Sequence, residues 1–168
     1  MKSIYFDLDD TLIYTKHKFN QAMVDCLQEF NVFFGVNNPH PKNVLDHLLK
    51  LEIANVESLG FEKGRFMDSM INTCKFFADR LGYEYTADMD TRIQKIANQV
   101  NEPPFLIQPR ALEVLELIRP MVDEMFVYTM GSPSVQMEKV NSFPPAILDL
   151  FSDIIVVPKR IPRHLKGY

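Results

Sequence analysis

The stretch SIYFDLDDTL, residues 3–12, decides the fold of this chain. The apolar run of residues 3–6 stops at Asp7, a pattern typical of a buried central strand that ends in a polar loop. Open α/β sheets carry their chemistry at such strand ends. Asp7 and Asp9 are two residues apart there and can point into one crevice. One carboxylate could then attack a phosphorus atom while the other moves protons.

A structural interpretation of the same residues is that Asp9, Asp10 and Thr11 only cap a turn, since acidic turns are common. The strand before them, the spacing of the two carboxylates and the Thr-Leu pair that follows all favour the chemical interpretation.

Helical periodicity begins at about residue 17 and continues to about residue 102. Apolar residues recur on single helix faces, and turn-forming residues interrupt the pattern several times. The sequence therefore predicts a helical insertion of several elements, which ends near Pro103 and Pro104.

Beyond the insertion, an amphipathic helix over Arg110–Arg119 leads into a second strand, Met125–Tyr128, which is consistent with a parallel crossover. A further helix is expected to start with Ser132 as N-cap and Pro133 at its first position. A third strand is predicted over Ile154–Val157.

The composition limits the function classes. The 168 residues are 46% hydrophobic with a net charge of -4, and the basic residues are scattered, which argues against nucleic-acid and membrane partners. A small molecule is the expected partner. Without an apolar run long enough to cross a bilayer or a signal-peptide core, the expected location is cytoplasmic. Cys26 and Cys74 have no metal-ligand or disulfide spacing and are expected to be buried helix residues.

The DxDxT-L motif after a hydrophobic strand resembles the first motif of phosphatases of the haloacid dehalogenase (HAD) superfamily. The resemblance implies Asp7 as nucleophile, Asp9 as general acid/base, and a Mg2+ ion held by the Asp7 carboxylate and the Asp9 backbone carbonyl. Asp9 also favours a phosphatase over a dehalogenase, because HAD dehalogenases lack an aspartate at that place.

Thr129, at the end of the second strand, matches the second motif of the family. Its hydroxyl, with the following N-H groups of Met130 and Gly131, is expected to bind the transferring phosphoryl group, because a hydroxyl beside a turn and a helix N-terminus makes an anion site. With Gln136 and Lys139 this segment is similar to a T-x-G...Q...K pattern of HAD hydrolases. We expect Lys139 itself to be a solvated helix residue.

The third motif of the family is a cation after the third strand. Lys159 is the first candidate for this catalytic role, and Arg160 is the second, as a substrate-binding residue. Lys166 is a further candidate, and all three could be surface charges.

The fourth motif of the family consists of one or two acidic residues that complete the metal site, and no Asp or Glu follows Asp153 here. Two interpretations stay open: the chain is a fragment truncated at its C-terminus, or the sheet has lost strands and part of its metal site. The open sheet edge favours a homo-oligomer. The resemblance implies an α/β fold. The core is a HAD-like Rossmannoid parallel sheet made of residues 1–15 and 104–168, and a C1-type helical cap covers residues 16–103.

Four polar residues near the cap are expected to be solvated: Tyr14, Lys16, His17 and Arg65.

The resemblance favours a Mg2+-dependent phosphomonoester hydrolase for a small phosphorylated metabolite such as a sugar phosphate or a nucleotide. Two alternatives stay open. One is a phosphomutase or phosphotransferase on the same scaffold. The other is a non-catalytic HAD-like binding protein, or a fragment, that lacks the fourth motif.

Overall fold

The structure is a computed structural model that describes residues 1–62 and 64–157. The chain forms two compact units. The first contains residues 1–16 and the chain from Pro103 onward, and the second contains His17–Glu102. The predicted residues Lys159, Arg160 and Lys166 lie outside the described part of the chain.

The first unit is a mixed α/β structure. Its strands are β1 (Ser3–Phe6), β2 (Ile13–Tyr14), β3 (Leu106–Ile107), β4 (Glu124–Met130) and β5 (Asp153–Val157). Three of them form a parallel sheet in the order β1-β4-β5, and β2 pairs antiparallel with β3. The predicted α/β class with a parallel sheet is confirmed.

The helices follow the predicted periodicity. The second unit is built from α1 (Lys16–Phe34), α2 (Pro41–Leu59), α3 (Arg65–Leu81) and α4 (Ala87–Asn98). The first unit adds α5 (Ala111–Ile118), α6 (Pro133–Asn141) and α7 (Pro145–Leu148). None of the helices in the described residues is both long enough and apolar enough to span a membrane.

The predicted bounds of β1 are confirmed, whereas the predictions for β4 and β5 were correct in place but too short. Strand β4 begins one residue earlier than predicted and continues to Met130, so Thr129 lies inside the strand. The β2/β3 pair was not predicted, because strands of two residues are too short to show a period.

Each unit has its own apolar core. In the first unit Leu8, Ile13 and Val127 are fully buried, and the cluster extends to residues of α5 and α7. In the second unit Phe30 and Met70 are among the fully buried residues. Cys26 and Cys74 lie in this second core as free thiols on α1 and α3, so the prediction of buried helix cysteines is confirmed.

The prediction that Arg65 is solvated was wrong. Arg65 is buried at the start of α3, and its guanidinium is paired with the carboxylate of Glu52 on α2. Its environment is the interior of the helical unit, where an opposite charge offsets the cost of burying the cation.

Candidate functional site

The candidate site lies at the carboxyl ends of β1 and β4. Phe6 pairs with Val127 in parallel register, so the residues that follow both strands emerge at the same edge of the sheet. Asp7 and Asp9 follow β1, and Thr129 lies at the end of β4. The fold therefore brings the first and second predicted motifs to one edge.

A tight turn after β1 fixes the two carboxylates. The carbonyl of Leu8 accepts hydrogen bonds from the N-H groups of Leu12 and Ile13, both at 2.9 Å. The side chain of Leu8 is fully buried, whereas Asp7 and Asp9 on either side of it are half-buried. The turn therefore buries Leu8 in the core and leaves Asp7 and Asp9 partly accessible.

Asp10 has a structural role. Its backbone has a positive φ of 57°, a conformation that Asp tolerates in turns. Its Oδ1 atom accepts hydrogen bonds from the N-H groups of Thr15 at 3.0 Å and Lys16 at 2.9 Å, where α1 begins. The turn-capping interpretation therefore applies to Asp10.

Asp9 is instead held by two residues of α6. Lys139 Nζ lies 2.7 Å from Asp9 Oδ1, and Gln136 Nε2 donates to Asp9 Oδ2 at 2.8 Å. Gln136 and Lys139 are both buried, and a spacing of three residues places them on the same helix face.

The prediction that Lys139 is solvated was wrong. The buried residues of α6 are Val135, Gln136, Lys139 and Val140. The two valines are the signal that could have identified Gln136 and Lys139. Val135 and Val140 mark the buried face of α6, and both polar residues lie between them on that face. A polar residue on such a face needs a buried partner, which here is Asp9.

The last residues of β4 carry a buried hydroxyl without a partner among the described residues. Thr129 is 1% exposed, and its Oγ1 atom has no hydrogen-bond partner among the described residues. A buried hydroxyl without a hydrogen bond lowers the stability of the fold, unless a ligand or a water molecule supplies the missing partner. Helix α6 starts directly after Gly131 and Ser132, with Pro133 at its first position as predicted. Ser132 occupies the N-cap position, but its side chain makes no capping hydrogen bond; its hydroxyl pairs with Ser134 instead.

Gly131 allows the chain to turn closely over α6. Its φ is 155°, and its N-H group donates to the carbonyl of Val157 at 3.0 Å. A Cβ atom at this position would lie 2.6 Å from Gln136 Nε2. A side chain at position 131 is therefore excluded while Gln136 holds its present place.

The donors in the described residues suit Mg2+ only in part. No group of three His, Cys, Asp or Glu side chains within the described ranges could hold a metal ion. Both oxygens of the Asp9 carboxylate accept hydrogen bonds, which leaves the Asp7 carboxylate and the Asp9 carbonyl as the ligands that the resemblance implies. Magnesium often binds through one or two carboxylates with water and substrate phosphate, so this set fits a site completed by a substrate.

The chain resembles known proteins in its fold and not in its sequence. No protein-family model and no curated protein sequence matches the chain. A solved haloacid dehalogenase-like family hydrolase from Xanthomonas campestris is 20% identical, with a TM-score of 0.77 over 99% of this chain and 65% of its own. A Thermotoga maritima protein assigned as a beta-phosphoglucomutase is 12% identical, with a TM-score of 0.55 over 95% of this chain and 64% of its own.

The chain thus spans about two thirds of the length of these structures. At such identities the likeness concerns the backbone and its topology. The parallel β1-β4-β5 sheet, the helical unit between β2 and β3, and the likeness to these structures lead to one conclusion: the chain has the fold of the haloacid dehalogenase-like hydrolases.

Proposed function

We propose that this chain is the catalytic part of a phosphatase that acts through an aspartyl-phosphate at Asp7. The observation that carries the proposal is a hydrogen-bonded link between the first motif, at Asp9, and the second motif, beside Thr129. One side-chain amide, that of Gln136, donates to both the Asp9 carboxylate and the Met130 carbonyl, each at 2.8 Å. This shared amide supports the proposal that the acidic pair and the turn beside Thr129 form one site.

In the first half-reaction an oxygen of the Asp7 carboxylate forms a bond to phosphorus. The bond between phosphorus and the ester oxygen breaks, and Asp9, which enters the cycle in its protonated form, gives its proton to that departing oxygen. In the second half-reaction a water oxygen attacks the phosphorus atom, Asp9 takes a proton from it, and the bond between Asp7 and phosphorus breaks. Inorganic phosphate leaves, and both carboxylates return to their initial state.

Two groups of this chain would stabilise the phosphoryl group. The hydroxyl of Thr129, for which the described residues supply no partner, would donate to a phosphoryl oxygen, whereas the N-H group of Gly131 is already bonded to the carbonyl of Val157. Lys139 supplies a buried positive charge beside Asp9. A magnesium ion held by Asp7 and the Asp9 carbonyl would further offset the negative charge of the transferring group.

Lys139 takes over part of the role that the resemblance implies for Lys159. A buried ammonium neutralises the pair of aspartates more strongly than a solvated one, because water screens it less. Lys159 and Arg160 keep their proposed roles as a second cation and a substrate contact, and they lie outside the described residues.

The proposed substrate is a small phosphorylated metabolite, a sugar phosphate or a nucleotide, and the proposed location is the cytoplasm. Cap function for the helical unit is part of the same proposal. Phosphomutase activity is the second candidate, since the T. maritima structure assigned as a beta-phosphoglucomutase shares the fold. The two differ in product, because a mutase returns an isomerised phosphoester and a phosphatase releases inorganic phosphate.

The test compares Asp7→Asn with Asp10→Asn. Both variants remove one negative charge from the same loop, but an Asn at position 10 keeps the oxygen that accepts from Thr15 and Lys16. We expect Asp7→Asn to lose phosphate release from an aryl phosphate in the presence of Mg2+, because an amide is a poor nucleophile. Asp10→Asn should stay close to wild type.

A phosphoryl group trapped on Asp7 by rapid acid quench and located by mass spectrometry would support the covalent intermediate. Wild-type turnover in Asp7→Asn would contradict it. A wild-type chain that binds Mg2+ and phosphate but neither releases nor transfers phosphate would favour the non-catalytic binding protein.

A further inference from the structure

We infer that Gln136 is a positioning residue for Asp9, an inference that rests on the proposed phosphatase function. Its side-chain amide fixes the Asp9 carboxylate against the turn that binds the phosphoryl group. Gln136 has no part in the bond changes themselves. Its role is to hold the Asp9 carboxyl group beside the place where the leaving group departs.

The hydrogen bonds of Gln136 account for both of its N-H donors. Nε2 lies 2.8 Å from Asp9 Oδ2 and 2.8 Å from the carbonyl oxygen of Met130. An ionised carboxylate and a carbonyl only accept hydrogen bonds, so the nitrogen end of the amide must face them. Since Gln136 is 3% exposed, water does not compete for these contacts.

The amide links three segments of the sheet edge. Asp9 belongs to the turn after β1, and Met130 is the last residue of β4. The next residue, Gly131, is tied to β5 through its hydrogen bond to Val157. A shift of Gln136 would therefore change the position of Asp9 relative to the phosphoryl-binding turn.

The side-chain amide of Gln136 fits beside residue 131 because that residue is a glycine. A Cβ atom there would lie 2.6 Å from Nε2, which is closer than Cβ atoms approach other atoms in proteins, and 3.1 Å from the side-chain carbonyl carbon of Gln136, which is a tight contact. Gly131 and Gln136 therefore act as a pair, in which the missing side chain of one accommodates the amide of the other.

Gln136 and Lys139 bind different oxygens of the Asp9 carboxylate and have different effects on it. Lys139 holds Oδ1 at 2.7 Å with a compact, rotatable charge, which leaves the carboxylate free to turn about its own bond. The amide of Gln136 holds Oδ2 and is itself fixed by Met130. Lys139 thus supplies charge, and Gln136 supplies orientation.

This division predicts which step depends on Gln136. A general acid must lie within hydrogen-bond reach of the oxygen it protonates, about 2.6–3.2 Å, and a misplacement of about 1 Å can cost about 100-fold in rate. Attack by Asp7 does not use the Asp9 proton. Loss of Gln136 should therefore slow phosphoryl transfer to Asp7 for substrates whose leaving group needs a proton and spare this step for those whose leaving group does not. This step is read from kcat/KM, because the later attack of water uses Asp9 as a base with every substrate.

The experiment measures kcat and KM for Gln136→Met and Gln136→Glu with two esters, an alkyl phosphate and an aryl phosphate with an acidic phenol. Gln136→Met keeps the length of the side chain without hydrogen bonds, and Gln136→Glu keeps its shape but replaces the donor with a carboxylate. For both variants we expect kcat/KM for the alkyl ester to fall about 10- to 100-fold, with kcat/KM for the aryl ester close to wild type. Equal losses of kcat/KM on both esters, or no loss on either, would overturn the inference.

A second measurement needs no turnover. Urea unfolding midpoints of wild type, Gln136→Met, Asp9→Ala and the double variant form a double-mutant cycle. Midpoint shifts that are not additive would support the contact, and additive shifts would overturn the inference even if activity falls. Failure of the proposed function has a different signature, because wild type would then show no Asp7-dependent phosphate release with either ester.

Discussion

Lys139 on α6 and Asp9 after β1 form an ion pair across 130 residues of sequence, with 2.7 Å between Nζ and Oδ1. The Lys139 side chain is 7% exposed, and the Asp9 side chain is 31% exposed. The pair places a positive charge within the acidic end of the sheet, where two aspartates and a phosphate would otherwise repel one another.

Lys139→Met should lower both activity and stability. Methionine keeps the length of the side chain and removes the charge, so the Asp9 carboxylate loses its charged partner. We expect a loss of about 1–3 kcal/mol in unfolding free energy and of about 100-fold or more in kcat of the proposed phosphatase. Urea unfolding and phosphate release measure the two effects. Lys95→Met, at an exposed position on α4, is the matched control and should change neither.

Gly131→Ala should be more damaging than Gly82→Ala. At position 131 a Cβ atom meets Gln136, whereas at Gly82, with φ of 75°, nothing lies within 4 Å of it. Gly82→Ala should therefore show backbone strain of about 1–2 kcal/mol alone. Gly131→Ala should add about 1–3 kcal/mol from overpacking and displace the Gln136 amide. Equal unfolding midpoints for the two variants would show that the turn adapts to the added atom.

The sequence predicted the parts of this site that depend on neighbouring residues. A continuous apolar run marks β1, and the carboxylates follow it directly, so Asp7 and Asp9 could be identified from residues 3–12 alone. Lys139 and Arg65 were wrongly predicted as solvated, because a lysine or arginine on a helix is usually exposed. Their partners lie 130 and 13 residues away.

The signal for a buried cation is the helix face on which it lies. Lys139 precedes Val140 and follows Val135 by four residues, so the two valines show which face of α6 is buried. No comparable pattern gives the identity of the partner, since Asp7, Asp9 and Asp10 all stand in one loop. Only the turn geometry separates the capping role of Asp10 from the exposure of Asp9 to α6.

The two thiols should be unreactive in the folded chain. Burial raises the pKa of Cys26 from 9.0 to about 12, with smaller contributions from Cys74 and Glu29. Burial raises the pKa of Cys74 to about 12 as well, with a smaller contribution from Asp90. The thiolate is the reactive form, so alkylation by iodoacetamide at pH 8 should be slow in buffer and fast in urea. Rapid labelling of the native chain would contradict the burial of both thiols.

The same shifts predict a loss of stability at high pH. The folded chain holds its thiol protons to a higher pH than the unfolded chain, whose thiols titrate near 9.0. The stabilisation is therefore complete below pH 9 and is lost as the pH rises towards 12. Burial also raises the pKa of Tyr85, so the tyrosine contributes to the same loss. A Cys26→Ala/Cys74→Ala chain should show a shallower decline of unfolding free energy with pH than wild type.

The buried ion pair of Glu52 and Arg65 should stabilise the helical unit only as a pair. The two side chains are 15% and 9% exposed, and the Arg65 guanidinium also lies 5.3 Å from the ring centroid of Phe61. Arg65→Met leaves a buried carboxylate and Glu52→Leu leaves a buried guanidinium. Each single change should therefore cost about 3–5 kcal/mol in unfolding free energy.

The double variant Glu52→Leu/Arg65→Met should be much more stable than the sum of the single changes predicts, because it removes both charges from a site where water cannot solvate them. Glu52 Oε1 and Arg65 Nε have no hydrogen-bond partner among the described residues, so the pair does not recover the full cost of its own burial. The measurement is a double-mutant cycle by urea unfolding. Lys42→Met is the control, since Lys42 pairs with Asp46 on the exposed surface of α2 and water already solvates both charges. If the buried single variants were as mild as Lys42→Met, Arg65 would be reaching solvent in solution, as the sequence alone had predicted.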